Sequence, residues 1–100
     1  MAANFTRYAI LLNNVEGSMA NEVLIRAHVA FLRKLDKEEK LVMCGPFTNC
    51  KGGMVIIKAS GLEEATRVAE SDPFVSEGVR TFEVRTWELS CEENNHMGMG

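Results

Sequence analysis

His28 lies in the stretch "RAHVAFLRKL" (26–35), on the same helical stripe as Leu24, Phe31 and Leu35. An imidazole at such a position reads in two ways: as a hydrogen-bonded core residue, or as the working group of a site. A carboxylate against one ring nitrogen would fix the tautomer, raise the basicity of the other nitrogen and direct it at a substrate proton. Asp72, in "ESDPF", is the candidate for that carboxylate, although Asp-Pro is also ordinary punctuation at a helix end. Ser71 is its neighbour in sequence, but nothing brings that hydroxyl against the imidazole, so a pair is expected and not a triad.

Other chemistries find less support. His28 has no second histidine or carboxylate one helical turn away on its own face, and His96 sits in a C-terminal stretch without periodicity, so no metal site and no cofactor are expected. Cys44, Cys50 and Cys91 are an odd number, and the spacing of the first two matches no common zinc or redox pattern. They read as reduced thiols of a cytoplasmic protein. Cys44 beside Gly45 is an alternative nucleophile with no base assigned to it.

One hundred residues is the length of a single domain with its own core. The composition, 46% hydrophobic and 25% charged, is that of a globular chain. A net charge of −3 with lysines and arginines scattered along the chain gives no footprint for nucleic acid or an anionic membrane surface, so neither is an expected partner. The run "YAILL" is too short to span a bilayer and leads into two asparagines, not a cleavage site.

The elements that would carry the pair follow from periodicity. Residues 5–12, "FTRYAILL", predict a strand closed by Asn-Asn. A helix follows from about Ala20 to Leu35, with Ser18 as N-cap. Residues 40–47 and 52–60 predict a hairpin. Residues 60–71 predict a short helix capped by Ser60, with Leu62, Ala65 and Ala69 on one side, stopped at Asp72-Pro73. Residues 79–89 alternate as a last strand, so the domain spans 1–90 and 91–100 form a flexible tail.

Strand, helix, strand, strand, helix, strand is the order of a ferredoxin-like α+β fold, a four-stranded antiparallel sheet with two helices on one face. The middle strands, "LVMC" and "MVIIKA", are apolar at successive positions and so present apolar groups on both faces, whereas helices cover one. A homodimer packed through the open sheet face is the expected solution, the alternative being imperfect alternation on a semi-polar face. In this fold the helices run antiparallel. His28 lies roughly 13 Å along the first, and the second ends after roughly 15 Å from the opposite side, which brings Asp72 level with His28. A pocket between helix and sheet would then draw on Tyr8, Gly45, Pro46, Phe47, Ser71 and Phe74. The three aromatics also read as core or interface, and Gly45-Pro46 as a strand terminator.

Taken in order, "HVAFLRKL", "LVMCGPF", "GGMVIIKAS", "EEATRVAESDPF" and "VRTFEVRTWEL" resemble the YciI-like (YCII-related) family over about residues 5–89. The resemblance implies a subunit that dimerises into an α/β barrel, an active site in which His28 and Asp72 pair, and kinship with an enzyme that eliminates chloride from a chlorinated hydroxyquinol. The Thr-Asn-Cys-Lys hairpin loop and the polar tail depart from the simplest family pattern, so the resemblance does not carry a substrate. Three functions follow as expectations. The first is a small lyase- or isomerase-type enzyme whose His28–Asp72 pair does acid/base chemistry on a small, aromatic or unsaturated molecule. The second is a non-catalytic module that binds a small metabolite with the same pair, and the third a purely structural His28.

Overall fold

A computed structural model describes residues 4–96. Thr6–Asn14 form β1, Glu22–Lys37 α1, Leu41–Pro46 β2, Gly52–Ile57 β3, Leu62–Glu70 α2, Pro73–Ser76 α3 and Arg80–Glu88 β4. The strands make one antiparallel sheet in the order β2-β3-β1-β4. This is the α+β fold that the order of elements predicts. None of the described helices is long and apolar enough to cross a membrane.

Register decides which side chains face the helices. Tyr8 stands opposite Ile57 and Thr86, Ile10 opposite Val55 and Val84, and Leu12 opposite Gly53 and Phe82. Cross-strand partners share a face, and this face is the core side: Tyr8, Ile10, Leu12, Val55 and Ile57 cluster with Leu35 of α1 and with Ala65 and Ala69 of α2. Full burial of each large aliphatic here is worth about 1.5–3 kcal/mol. The two alanines are fully buried, and their small size lets α2 lie close to the sheet. On the opposite face the register places Ala9, Leu11, Met54 and Ile56, with Met43 opposite Ile56 and Trp87 opposite Arg7.

Several ends differ from the sequence expectation. The cap of α1 is Asn21, whose Oδ1 accepts the Leu24 N–H at 2.8 Å. Ser18 donates instead to the carbonyls of Val15 and Val79, tying the loop after β1 to the start of β4. Gly61, not Ser60, precedes α2 and no side chain caps it; the Ser60 N–H donates to the Glu64 carboxylate at 2.9 Å, which ties the incoming loop to the first turn. β3 stops at Ile57, where the Lys58 N–H turns to the Lys40 carbonyl. The short helix α3 has no counterpart among the expected elements, because the run Pro73–Ser76 is too brief to show a period. Of the expected tail, Glu92–Asn94 form a 3-10 turn, and residues 97–100 lie outside the described residues.

The β2–β3 turn depends on one backbone position. Gly52 has φ +105°, and a Cβ there would lie 2.3 Å from the Leu12 carbonyl oxygen. Both the conformation and the space exclude a side chain. Gly52→Ala is therefore expected to lower the free energy of unfolding by about 2 kcal/mol or more, read as a fall in the urea midpoint.

Candidate functional site

Position 28 is fixed by packing on either side of it. His28, Leu32 and Leu35 recur at helical spacing on the inner face of α1, and Leu35 is buried in the core. Glu22 in the first turn and Lys34 and Lys37 in the last complement the helix dipole, and Arg26 pairs with Glu22 on the outer side. The other half of the site comes from the chain reversal after α2. Ser71 closes α2, and its hydroxyl donates to the Val68 carbonyl at 2.7 Å. Asp72 then adopts extended backbone, as a residue before proline must, and becomes the N-cap of α3.

Asp72 is 2% exposed. Its Oδ1 accepts the Phe74 N–H at 2.9 Å and lies 2.8 Å from Nδ1 of His28. An ionised carboxylate only accepts, so the proton of this bond sits on Nδ1, and in the neutral ring Nε2 holds the free lone pair. The Phe74 ring stacks on the imidazole with centroids 4.0 Å apart and planes 10° from parallel; Phe31 lies farther away, at 6.4 Å. One hydrogen bond and one stacked ring thus restrain the imidazole.

His28 lines a cavity of about 410 Å³ between α1 and the sheet. Gly45, Pro46 and Phe74 line it too, so four of the eight residues singled out in the sequence meet there, with Asp72 bonded behind them. The other three lie elsewhere. Tyr8 is 7% exposed within the core cluster beneath the helices. The Phe47 N–H closes the hairpin against the Gly52 carbonyl, and its ring is not among the cavity walls. Ser71 is exposed and its hydroxyl is engaged by α2. Among the walls that sequence reading missed are Leu12, Ile25, Leu32, Val55 and Arg80, with Gly52, Gly53 and Met54 of β3; Cys44, weighed only as a nucleophile, is a wall as well. For Arg80 a signal existed: it shares parity with Phe82 and Val84, a charge on the core side of a strand.

Among the described residues no group of three or more His, Cys, Asp or Glu side chains is gathered so as to hold a metal ion. The arrangement suits proton transfer: a restrained imidazole, a buried carboxylate behind it and an apolar space in front.

The sheet order and the helices packed on it define a four-stranded α+β domain. The chain belongs to the YCII-related domain family, whose model matches residues 6–88. It is 33% identical over 82 residues to the uncharacterized protein YjpA of Bacillus subtilis (strain 168), an alignment covering 82% of this chain and 96% of that protein. Among solved structures it is similar in fold to 5-chloro-2-hydroxyhydroquinone dehydrochlorinase (TftG) from Burkholderia phenoliruptrix AC1100, in complex with 2,5-dihydroxybenzoquinone. That match has a TM-score of 0.64 and 24% identity, and covers 82% of this chain and 93% of that one.

Removal of the carboxylate leaves two donors without their acceptor. Asp72→Ala is expected to cost about 2–4 kcal/mol of stability, while Asp72→Asn, which keeps an acceptor oxygen for Phe74, costs less. Two-dimensional ¹⁵N NMR of the imidazole checks the geometry: the wild type shows the Nδ1–H form, and Asp72→Ala loses that preference.

Proposed function

We propose that the protein is a small acid/base enzyme of lyase or isomerase type acting on a small planar molecule, aromatic or quinonoid, held in the cavity between α1 and the sheet. The observation that carries this reading is the 2.8 Å contact of His28 Nδ1 with a buried carboxylate on an imidazole that borders an apolar cavity. In the reaction Nε2 takes a proton from a ring hydroxyl or an acidic C–H. The electron pair released moves into the ring, and the imidazolium returns its proton to a ring carbon, which completes an isomerisation; where that carbon bears a leaving group, loss of a second hydroxyl proton to the imidazole then expels the group as an anion and leaves a quinone. Asp72 stabilises the imidazolium at each stage, and after the elimination the imidazolium gives its proton to solvent. A cavity of this size accommodates one substituted six-membered ring. The solved dehydrochlorinase of the same fold, seen with 2,5-dihydroxybenzoquinone, supplies the probe class.

The reading extends to assembly and setting. Met43 and Trp87, 60% and 43% exposed, stand on the sheet face that no helix covers, beside Leu11 and Met54. A second copy packed sheet to sheet would remove them from water. The free thiols of Cys44, Cys50 and Cys91 fit a reducing, cytoplasmic setting. The domain closes with β4, and residues 91–96 form an appendage to it.

Two measurements test this. Calorimetry with 2,5-dihydroxybenzoquinone and anaerobic turnover assays on halogenated hydroxyquinols should show binding and halide release by the wild type, and loss of about 10²-fold or more of the rate in His28→Ala. Binding without turnover across the panel would replace the enzyme with a binding module. Light scattering should return twice the 11.1 kDa chain mass, and Met43→Glu combined with Trp87→Glu should return the single mass. A wild-type monomer at micromolar concentration contradicts the dimer.

A further inference from the structure

Arg80 is the one cationic side chain among the cavity walls, and the pairing of His28 with Asp72 does not use it. It opens β4 at the parity of Phe82 and Val84, so its stem leaves the sheet on the apolar side. Nη1 donates to Oδ1 of Asn14 at 3.1 Å and to the carbonyl of Val79 at 2.8 Å. Both acceptors are neutral. They orient the guanidinium without neutralising it, and no carboxylate of the described residues lies within 4.0 Å of it. Nε and Nη2 make no hydrogen bond within the described residues and are not fully buried, since the only fully buried unpaired side-chain donor described is Nε of Arg7, and Arg80 is a wall of the cavity.

A half-buried guanidinium beside an apolar space pays for desolvation and receives no counter-ion from its own chain. The fork that remains, Nε and Nη2, matches an anionic oxygen or a pair of oxygens. Phe74 sets the spacing. Its centroid is 4.0 Å from that of His28 and 5.5 Å from Cζ of Arg80. The imidazole and the guanidinium are therefore no farther apart than one six-membered ring bearing oxygens at opposite ends can bridge.

We propose that Arg80 is the anion-recognising residue of the cavity, and that its ligands are planar rings carrying an ionised oxygen: an enolate, a phenolate or a ring carboxylate. The inference rests on the reading of this cavity as a small-molecule site. The ionised oxygen sits on the Nε–Nη2 fork, and the opposite end of the ring meets Nε2 of His28. The same positive charge stabilises the negative charge that enters the ring when His28 withdraws a proton.

The test compares two ligands of one ring size under anaerobic conditions at pH 7. In 2,5-dihydroxybenzoquinone the hydroxyls are vinylogous acids and ionise; hydroquinone is uncharged. The wild type should bind the quinone anion about tenfold or more tightly than hydroquinone, and Arg80→Gln should erase that preference while leaving the affinity for hydroquinone within about twofold. Arg80→Lys should restore part of it. If Arg80→Gln folds and binds the anion as the wild type does, Arg80 is a strut between β4 and Asn14 and the inference is overturned, while the small-molecule site stands. If the wild type binds neither ligand, the cavity reading falls and this inference falls with it. Should Arg80→Gln fail to fold, the salt dependence of the wild type decides: anion affinity that is the same at low and high salt overturns the proposal.

Discussion

A carboxylate buried to 2% exposure must find its hydrogen bonds inside the protein, because water no longer supplies them. Asp72 meets that requirement with one oxygen that serves two donors, the Phe74 N–H and the imidazole of His28. The first bond starts α3 and turns the chain toward β4. The second fastens the middle of α1 to that turn. Much of the site inherits its position from this oxygen. Phe74 follows two residues behind the cap, and its ring lies flat on the imidazole; Gly78, at φ +79°, redirects the chain so that Arg80 arrives at the cavity edge.

The same bond explains why a cavity can persist beneath a helix. The C-terminal half of α1 is held by ordinary apolar packing, with Leu35 buried and Phe31 and Leu32 against the core. Toward the N-terminus that packing thins out: Ile25 is 46% exposed and Val23 76%. Under this half the sheet offers Gly45, Gly52 and Gly53 near the β2–β3 turn, positions with no side chain to fill the gap. A Cβ on Gly53 would lie 2.7 Å from the Gly45 carbonyl oxygen, so close approach of the strands keeps the position bare. Where dispersion contacts are missing, the hydrogen bond from His28 to a charged acceptor, worth about 1.5–3 kcal/mol, helps hold the helix down.

The sequence carried the parts of this that depend on period and length. Alternation and helical spacing gave the order of elements, and the unequal lengths of the two long helices put Asp72 level with His28. What it did not carry depends on single hydrogen bonds or on which way a ring turns. Ser18 and Asn21 both suit an N-cap; the choice falls to Asn21 because Ser18 is needed by the carbonyls of Val15 and Val79. Tyr8 and Phe74 are both aromatics beside a helix, yet register sends Tyr8 under the core while the cap at Asp72 sends Phe74 to the imidazole. Arg80 was legible in principle: a charge at core parity conflicts with the alternation around it, and such conflicts concentrate at functional positions.

β2 joins the two faces of the sheet. Its pairing with β3 shifts register between Leu41 and Met43, so that Leu41 stands opposite Ile57 and Met43 opposite Ile56. The strand thereby sends Leu41 to the core and Met43 to the uncovered face, and one and three residues after Met43 its Cys44 and Pro46 form a wall of the cavity. Six residues serve both surfaces. A body seated on Met43 therefore bears on the strand that shapes the ligand space, and restricting β2 from outside restricts the wall opposite His28. Rigid support behind a binding wall is what preorganises a site, so the proposed assembly through the open face and the proposed chemistry at the cavity draw on the same short strand.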